Sequence, residues 1–144
     1  GKEMDADAGL PFTRTVFDAD LSYLAGAWIF GGEFNRGHVS LPADGEADWT
    51  AFLVMGHVDF NGWSGLTLRY DWFDDGDAWV FSTVGGEVQT RRSFTVAPTF
   101  VLDEGFGALV ELRVDKSDQD AFVDGDGEPT DTAVSVAVEM TYSW

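Results

Sequence analysis

At 144 residues, 44% of them apolar, the chain has the length of one domain and enough apolar surface for a sizeable buried or lipid-facing face, which excludes a disordered chain. Twenty-six acids against eight bases give a formal charge of −18, a field that repels nucleic acid and anionic lipid surfaces and suits cations or a salty, extracellular medium. Cysteine is absent, so disulfides, thiolate metal sites and cysteine nucleophiles are excluded.

No run of about 18 apolar residues exists, which excludes a helical membrane anchor but not a membrane barrel, whose strands alternate. The first residues lack the basic-then-apolar form of a signal peptide. The chain also starts without Met, which points to a processed or truncated product.

Residues 1–16 read as a polar N-terminal segment or loop, too short and too polar for a spanning strand. From residue 17 the pattern changes to period-2 alternation in segments of about ten residues, the length that crosses a bilayer as a tilted strand. In residues 17–26, Phe17, Ala19, Leu21 and Tyr23 oppose Asp18, Asp20 and Ser22. In residues 27–37, Trp28, Phe30, Gly32 and Phe34 oppose Ile29, Gly31, Glu33 and Asn35.

Residues 49–60 alternate less cleanly, with Leu53 and Met55 on the face that also carries His57 and Asp59. Residues 66–73 set Leu66, Leu68, Tyr70 and Trp72 against Thr67, Arg69 and Asp71. In residues 92–102, Phe94, Val96, Phe100 and Leu102 share a face with Pro98, which removes one ladder donor. Residues 108–115 set Ala108, Val110, Leu112 and Val114 against Leu109, Glu111, Arg113 and Asp115. The alternation is clearest in residues 132–144, where Val134, Val136, Val138, Met140, Tyr142 and Trp144 form one face and Ala133, Ser135, Ala137, Glu139, Thr141 and Ser143 the other.

The connections alternate in length. Those near Ala25-Gly26, at 61–65 and at 103–107 are short, while 38–48, 74–90 and 116–131 are long and acidic. Short turns at one rim and long loops at the other are the pattern of a bacterial outer-membrane barrel, with the short turns periplasmic. The predicted fold is therefore all-β: a transmembrane antiparallel up-and-down β-barrel over residues 17–144, with about seven strands in this chain. The first and seventh strands run in the same direction, so they cannot close by antiparallel pairing. Further strands, covalent or not, are expected.

The segments Leu66-Thr-Leu-Arg-Tyr-Asp-Trp-Phe-Asp-Asp75 and Glu111-Leu-Arg-Val-Asp-Lys-Ser-Asp118, with the terminal Val138-Glu-Met-Thr-Tyr-Ser-Trp144, resemble the OmpL-like β-barrel porin family of Gram-negative outer membranes. The resemblance covers roughly residues 16–144 and implies a passive channel for small hydrophilic solutes. It also implies that Met140, Tyr142 and Trp144 form the signal read by the barrel-assembly machinery. The Arg69/Asp71 and Arg113/Asp115 pairs resemble the family's inward-facing charge pairs. The resemblance also implies strands upstream of residue 16, which are expected to lie outside these 144 residues.

A charge at the midplane of a lipid face costs roughly 2–4 kcal/mol, so the polar parity is expected to face the lumen. That assigns Asp18, Asp20, Glu33, His57, Asp59, Arg69, Asp71, Glu111, Arg113, Asp115 and Glu139 to a wall favouring cations; the plainer reading is that they solvate a plugged or narrow barrel. Trp28, Phe60, Tyr70, Trp72, Tyr142 and Trp144 read as interfacial girdles, against the plainer reading of a soluble aromatic core.

Asp124, Asp126 and Glu128 have the alternate spacing of calcium ligands, but Pro129 stands where an EF-hand has its sixth-position Gly, and a solvated acidic loop is the plainer reading. No other cofactor is expected. No catalytic motif surrounds His38 or His57, and no phosphate-binding glycine loop occurs, so the chain does not read as an enzyme. Two other readings remain open. One is a structural barrel that anchors or encloses partner subunits, and the other a soluble lipocalin-like barrel with a hydrophobic ligand.

Overall fold

The computed structural model describes residues 2–4, 11–40, 45–81, 87–103 and 105–142. Trp144, Glu104, Gly85 and Gly86 lie outside the described residues, as do parts of the three long loops. No helix among the described residues is long and apolar enough to cross a membrane.

The strands are β1 (Lys2–Met4), β2 (Pro11–Ala25), β3 (Trp28–Ser40), β4 (Glu46–Asn61), β5 (Ser64–Asp75), β6 (Gln89–Asp103), β7 (Phe106–Ser117), β8 (Phe122–Val123), β9 (Pro129–Thr130) and β10 (Thr132–Tyr142). Seven long strands, β2 to β7 and β10, pair antiparallel with their chain neighbours in an up-and-down meander, and β1 adds a short piece beside β2. Among the described residues the sheet is not closed: β1 and β2 lie at one edge and β10 at the other.

Several strand limits differ from the sequence reading. The N-terminal segment 1–16 is not all loop: β2 begins at Pro11, pairing Thr13 with Ser40 and Val16 with Gly37, and Lys2–Met4 pairs with the start of β2. The loops predicted at 38–48 and 74–90 are shortened because β3, β4, β5 and β6 all run beyond the apolar band. There the ladder no longer needs one apolar face, so the alternation that marks a strand disappears while β-branched Thr13, Thr15 and Val16 still favour extension. The loop predicted at 116–131 contains the small β8–β9 hairpin, which pairs Phe122 with Thr130 and Val123 with Pro129. Strands of two residues are too short for any periodic signal.

The tight turns behave as their residues dictate. Gly26 takes a φ of 62° at the first central position of the Ala25–Trp28 hairpin, the position at which this kind of two-residue turn needs glycine. Asn61 Oδ1 accepts the backbone N–H of Trp63 and Ser64 at 3.0 and 2.9 Å, closing the second turn. Bulges interrupt the ladders at Asp59/Asn61 and at Val101/Asp103, leaving Phe60 and Leu102 as the extra residues at this rim.

Burial is inverted relative to a water-soluble protein. Leu21, Val136 and Met140 are 74%, 69% and 64% exposed, whereas Asp75, Gln89, Ser93, Thr95 and Ser117 are buried. An exposed apolar face this extensive needs a nonaqueous neighbour. The lipocalin-like reading requires the apolar parity to be buried, and among the described residues it is exposed.

One close approach is built around Gly37, which stands directly across the ladder from Trp49. The indole lies over the glycine so closely that a Cβ there would fall within the ring. Gly37→Ala therefore has to displace a buried Trp, and overpacking of this kind costs about 1–3 kcal/mol. The expected result is a lower midpoint of denaturant unfolding for the folded barrel, recovered in part by Trp49→Ala in the same chain. An unchanged midpoint would show that the indole can move freely.

Candidate functional site

Directly opposed residues of an antiparallel pair share a face, so the register assigns each side chain to one side of the sheet. One face runs across all seven strands through Leu21, Gly32, Val54, Tyr70, Phe94, Val114 and Val134. Aromatic residues gather at both ends of this face. At the short-turn end Trp28 stacks on Phe30 at 5.8 Å, Trp63 on Phe100 at 6.3 Å, and Phe106 meets Tyr142 at 5.1 Å, with Phe60 in the neighbouring bulge.

At the other end Phe17 packs on Phe34 at 6.3 Å, and Phe52 on Tyr70 and Trp72 at 6.0 and 5.3 Å. One pair further on, the same face turns polar, with Arg36 across from Thr50, Thr50 from Asp74, and Arg92 from Lys116. An apolar band edged by rings and then by charge is the profile of a membrane-facing wall. Of the six girdle residues read from sequence, Trp28, Phe60 and Tyr142 sit at one end and Tyr70 and Trp72 at the other. Trp144 lies outside the described residues.

The opposite face carries the charged parity. A single row crosses it through Asp20, Glu33, Leu53, Asp71, Ser93, Asp115 and Ala133. The adjoining row holds Arg69 on β5 and Arg113 on β7, two residues before Asp71 and Asp115 and therefore on the same side of their strands. Arg69 Nε donates to both carboxylate oxygens of Asp71 at 2.9 Å, with a further bond from its Nη2. Arg113 Nε donates to Asp115 at 2.9 and 3.1 Å, and its Nη2 to Ser93 Oγ at 2.9 Å, while Ser93 donates back to Asp115. Forked guanidinium–carboxylate pairing fixes these groups in plane.

The remaining members of the predicted set spread along this face. Asp18 stands across from Asn35, which donates to Glu33 Oε1 at 2.6 Å. Towards the short-turn rim, His57 pairs with Thr67 Oγ1 at 2.9 Å and Asp59 Oδ1 at 3.2 Å. Glu111 and Glu139 face Ala137 and Leu109 on the β7–β10 pair.

The long-loop end of this face holds a feature that alternation does not reveal. After β5 the chain turns inward over residues 76–81, and the fully buried Asp75 carboxylate accepts three backbone N–H bonds, from Trp79 at 3.0 Å, Val80 at 2.8 Å and Phe81 at 2.6 Å. This brings Phe81 against Phe73 at 4.8 Å, and Phe73 in turn stacks on Trp49 at 5.3 Å. The Arg91 guanidinium lies 3.8 Å from the Phe81 ring centre and 5.4 Å from that of Phe122, and its Nε donates to the buried Gln89. Below this aromatic–guanidinium cluster lies a cavity of about 640 Å³, lined also by Asn35, Asp71, Ser93, Arg113 and Asp115.

Trp49 and Phe73 could have been found in the sequence, because they are large aromatics on the parity that otherwise carries charge. Phe81, Arg91 and Phe122 had no such signal, since their positions depend on loop closure.

The calcium candidates are not gathered. Asp124 Oδ1 instead accepts the backbone N–H of Asp126 and of Glu128, each at 2.9 Å, and these bonds hold its carboxyl below the usual carboxylate range. Among the described residues no group of three His, Asp or Glu side chains is placed to hold a metal ion.

A family model described as "Putative beta-barrel porin-2, OmpL-like" matches residues 12–144. No curated protein and no solved structure matches the chain.

Proposed function

Because the chain belongs to the OmpL-like beta-barrel porin family, we propose that it forms channel wall in the outer membrane of a Gram-negative bacterium, passing small hydrophilic solutes by passive diffusion and favouring cations. The observation that carries this reading is the sorting of one sheet into an exposed apolar face with two aromatic edges and a charged face with a cavity. The role is non-enzymatic and needs no cofactor. The bilayer is the first partner. The assembly machinery, reading the strand that ends in Met140, Tyr142 and Trp144, is the second.

Cation preference follows from charges left over after pairing. The ion pairs on this face among the described residues are Arg69–Asp71, Arg113–Asp115 and His57–Asp59, while Asp20 stands directly across the ladder from Glu33. Like charges opposed in this way repel unless mobile cations screen them.

The full-length protein in a planar bilayer under a KCl gradient is expected to conduct, with a reversal potential of cation-selective sign that moves towards zero in Asp20→Asn/Glu33→Gln. A correctly folded barrel that does not conduct would reject the channel. One that is anion-selective would reject the preference.

A structural barrel is the second reading, favoured by the edges. β2 and β10 run in the same direction, so they cannot pair antiparallel with each other, and both expose residues of both parities. Further strands from the same or another chain would cover them. Recovery of this chain in a stable complex with a foreign segment at either edge would favour that role.

A further inference from the structure

We propose that the cavity beneath the inward-folded loop is a saccharide-binding subsite, in which sugar rings stack on the aromatic cluster while their hydroxyls bond to the ladder of fixed polar groups. The proposal rests on the channel reading for how a solute reaches the cavity. The cavity sets aromatic residues Trp49, Phe73, Phe81 and Phe122 beside the donors Arg91 and Arg113, the acceptors Asp71 and Asp115, and Asn35 and Ser93, which can do both. Hexose rings have that composition, with patches of C–H on their faces and hydroxyls around their edge.

Charge argues against a simple ion as the intended occupant. The lining holds two guanidiniums, Arg91 and Arg113, and two carboxylates, Asp71 and Asp115, unlike the directly opposed carboxylates of Asp20 and Glu33. The Arg113–Asp115–Ser93 network is locked by its own hydrogen bonds, so its outward lone pairs and N–H groups have fixed directions. Preset polar groups bind a neutral polyhydroxyl solute without the cost of ordering flexible side chains. The volume, about 640 Å³, falls within the range of small-ligand pockets and accommodates one or two sugar rings.

The test is calorimetric titration of the full-length protein, folded in micelles of a sugar-free amine-oxide detergent, with maltose, lactose and N-acetylglucosamine. Sorbitol, an open-chain polyol with no ring face, is the control. Saturable heat is expected from at least one of the three sugars and none from sorbitol. Phe81→Ala and Phe122→Ala should each weaken binding about tenfold, as loss of a stacked ring would, while Phe81→Tyr retains it. Barrel folding of each variant is checked by its heat-modifiable gel migration.

Absence of saturable heat from all three sugars would overturn the subsite, as would equal heat from sorbitol or undiminished binding in the Phe81→Ala/Phe122→Ala protein. Because micelles report binding without conduction, the two proposals fail separately. Heat without conductance removes the channel and keeps the subsite, and conductance without heat does the reverse.

Discussion

Val136→Arg is expected to destabilise the folded barrel by about 2–4 kcal/mol, whereas Ala137→Arg, one residue away on the same strand, is expected to leave it nearly unchanged. Val136 lies on the exposed apolar face near the middle of β10, across from Leu112. An arginine there must either sit in hydrocarbon or drag water and headgroups towards the midplane. Ala137 points to the other face and stands across from Glu111, where an arginine gains a carboxylate partner.

The contrast is measured as the denaturant dependence of folding into lipid vesicles. A cost of that size corresponds to a roughly 30- to 900-fold change in the folding equilibrium. Equal effects at the two positions would mean that neither face meets lipid. The reverse order would mean that the faces are assigned the wrong way round.

This pair of substitutions also marks what was legible in the sequence. Charges on one strand parity only, as in Arg69/Asp71 and Arg113/Asp115 against Tyr70 and Val114, encode the two faces directly, because side chains alternate with period two. Strand count followed from the same signal, and the short-turn rim from the alternating lengths of the connections. Strand ends did not. Once β2 and β3 rise past the apolar band, Thr13–Val16 and His38–Ser40 keep their ladder without any contrast between faces. The bulges at Phe60 and Leu102 are likewise invisible to a period-two rule, since each inserts a residue and resets the parity.

The candidate site divides in the same way. The Arg–Asp pairs were legible because two residues apart on a strand means the same face, and a guanidinium reaches a carboxylate over that distance. The aromatic cluster was not. Phe81 and Arg91 are ten positions apart on opposite sides of a loop, and Phe122 comes from a different loop altogether. Asp75 in particular fell at the start of the stretch 74–90, read as a long acidic connection, and the structure makes it the anchor of the inward fold.

Asp75→Ala is accordingly expected to release residues 76–81 from the cavity, opening the barrel and exposing the loop to protease. A buried carboxylate is tolerated only when its charge is met, and here three backbone N–H groups meet it. Hydrogen bonds to a charged group contribute about 1.5–3 kcal/mol each. Part of that is recovered when the freed N–H groups meet water, but even one net bond is enough to shift a docked loop by tenfold or more.

The loop also carries strain that favours release: Ala78 has a φ of 54°, a left-handed conformation that costs a non-glycine residue roughly 1–2 kcal/mol. Ala78→Gly removes that cost and should hold the loop more firmly, while Asp75→Asn, which keeps one acceptor oxygen, should fall between wild type and Asp75→Ala. With Phe81 withdrawn, Arg91 loses the ring it lies against, and the cavity joins the open lumen. Single-channel conductance of the full-length protein should rise in the order Ala78→Gly, wild type, Asp75→Asn, Asp75→Ala, with cleavage between residues 76 and 88 rising in parallel. If Asp75→Ala leaves both conductance and cleavage at the wild-type level, the carboxylate does not hold the loop, and the packing of Phe81 on Phe73 and Arg91 must hold it instead.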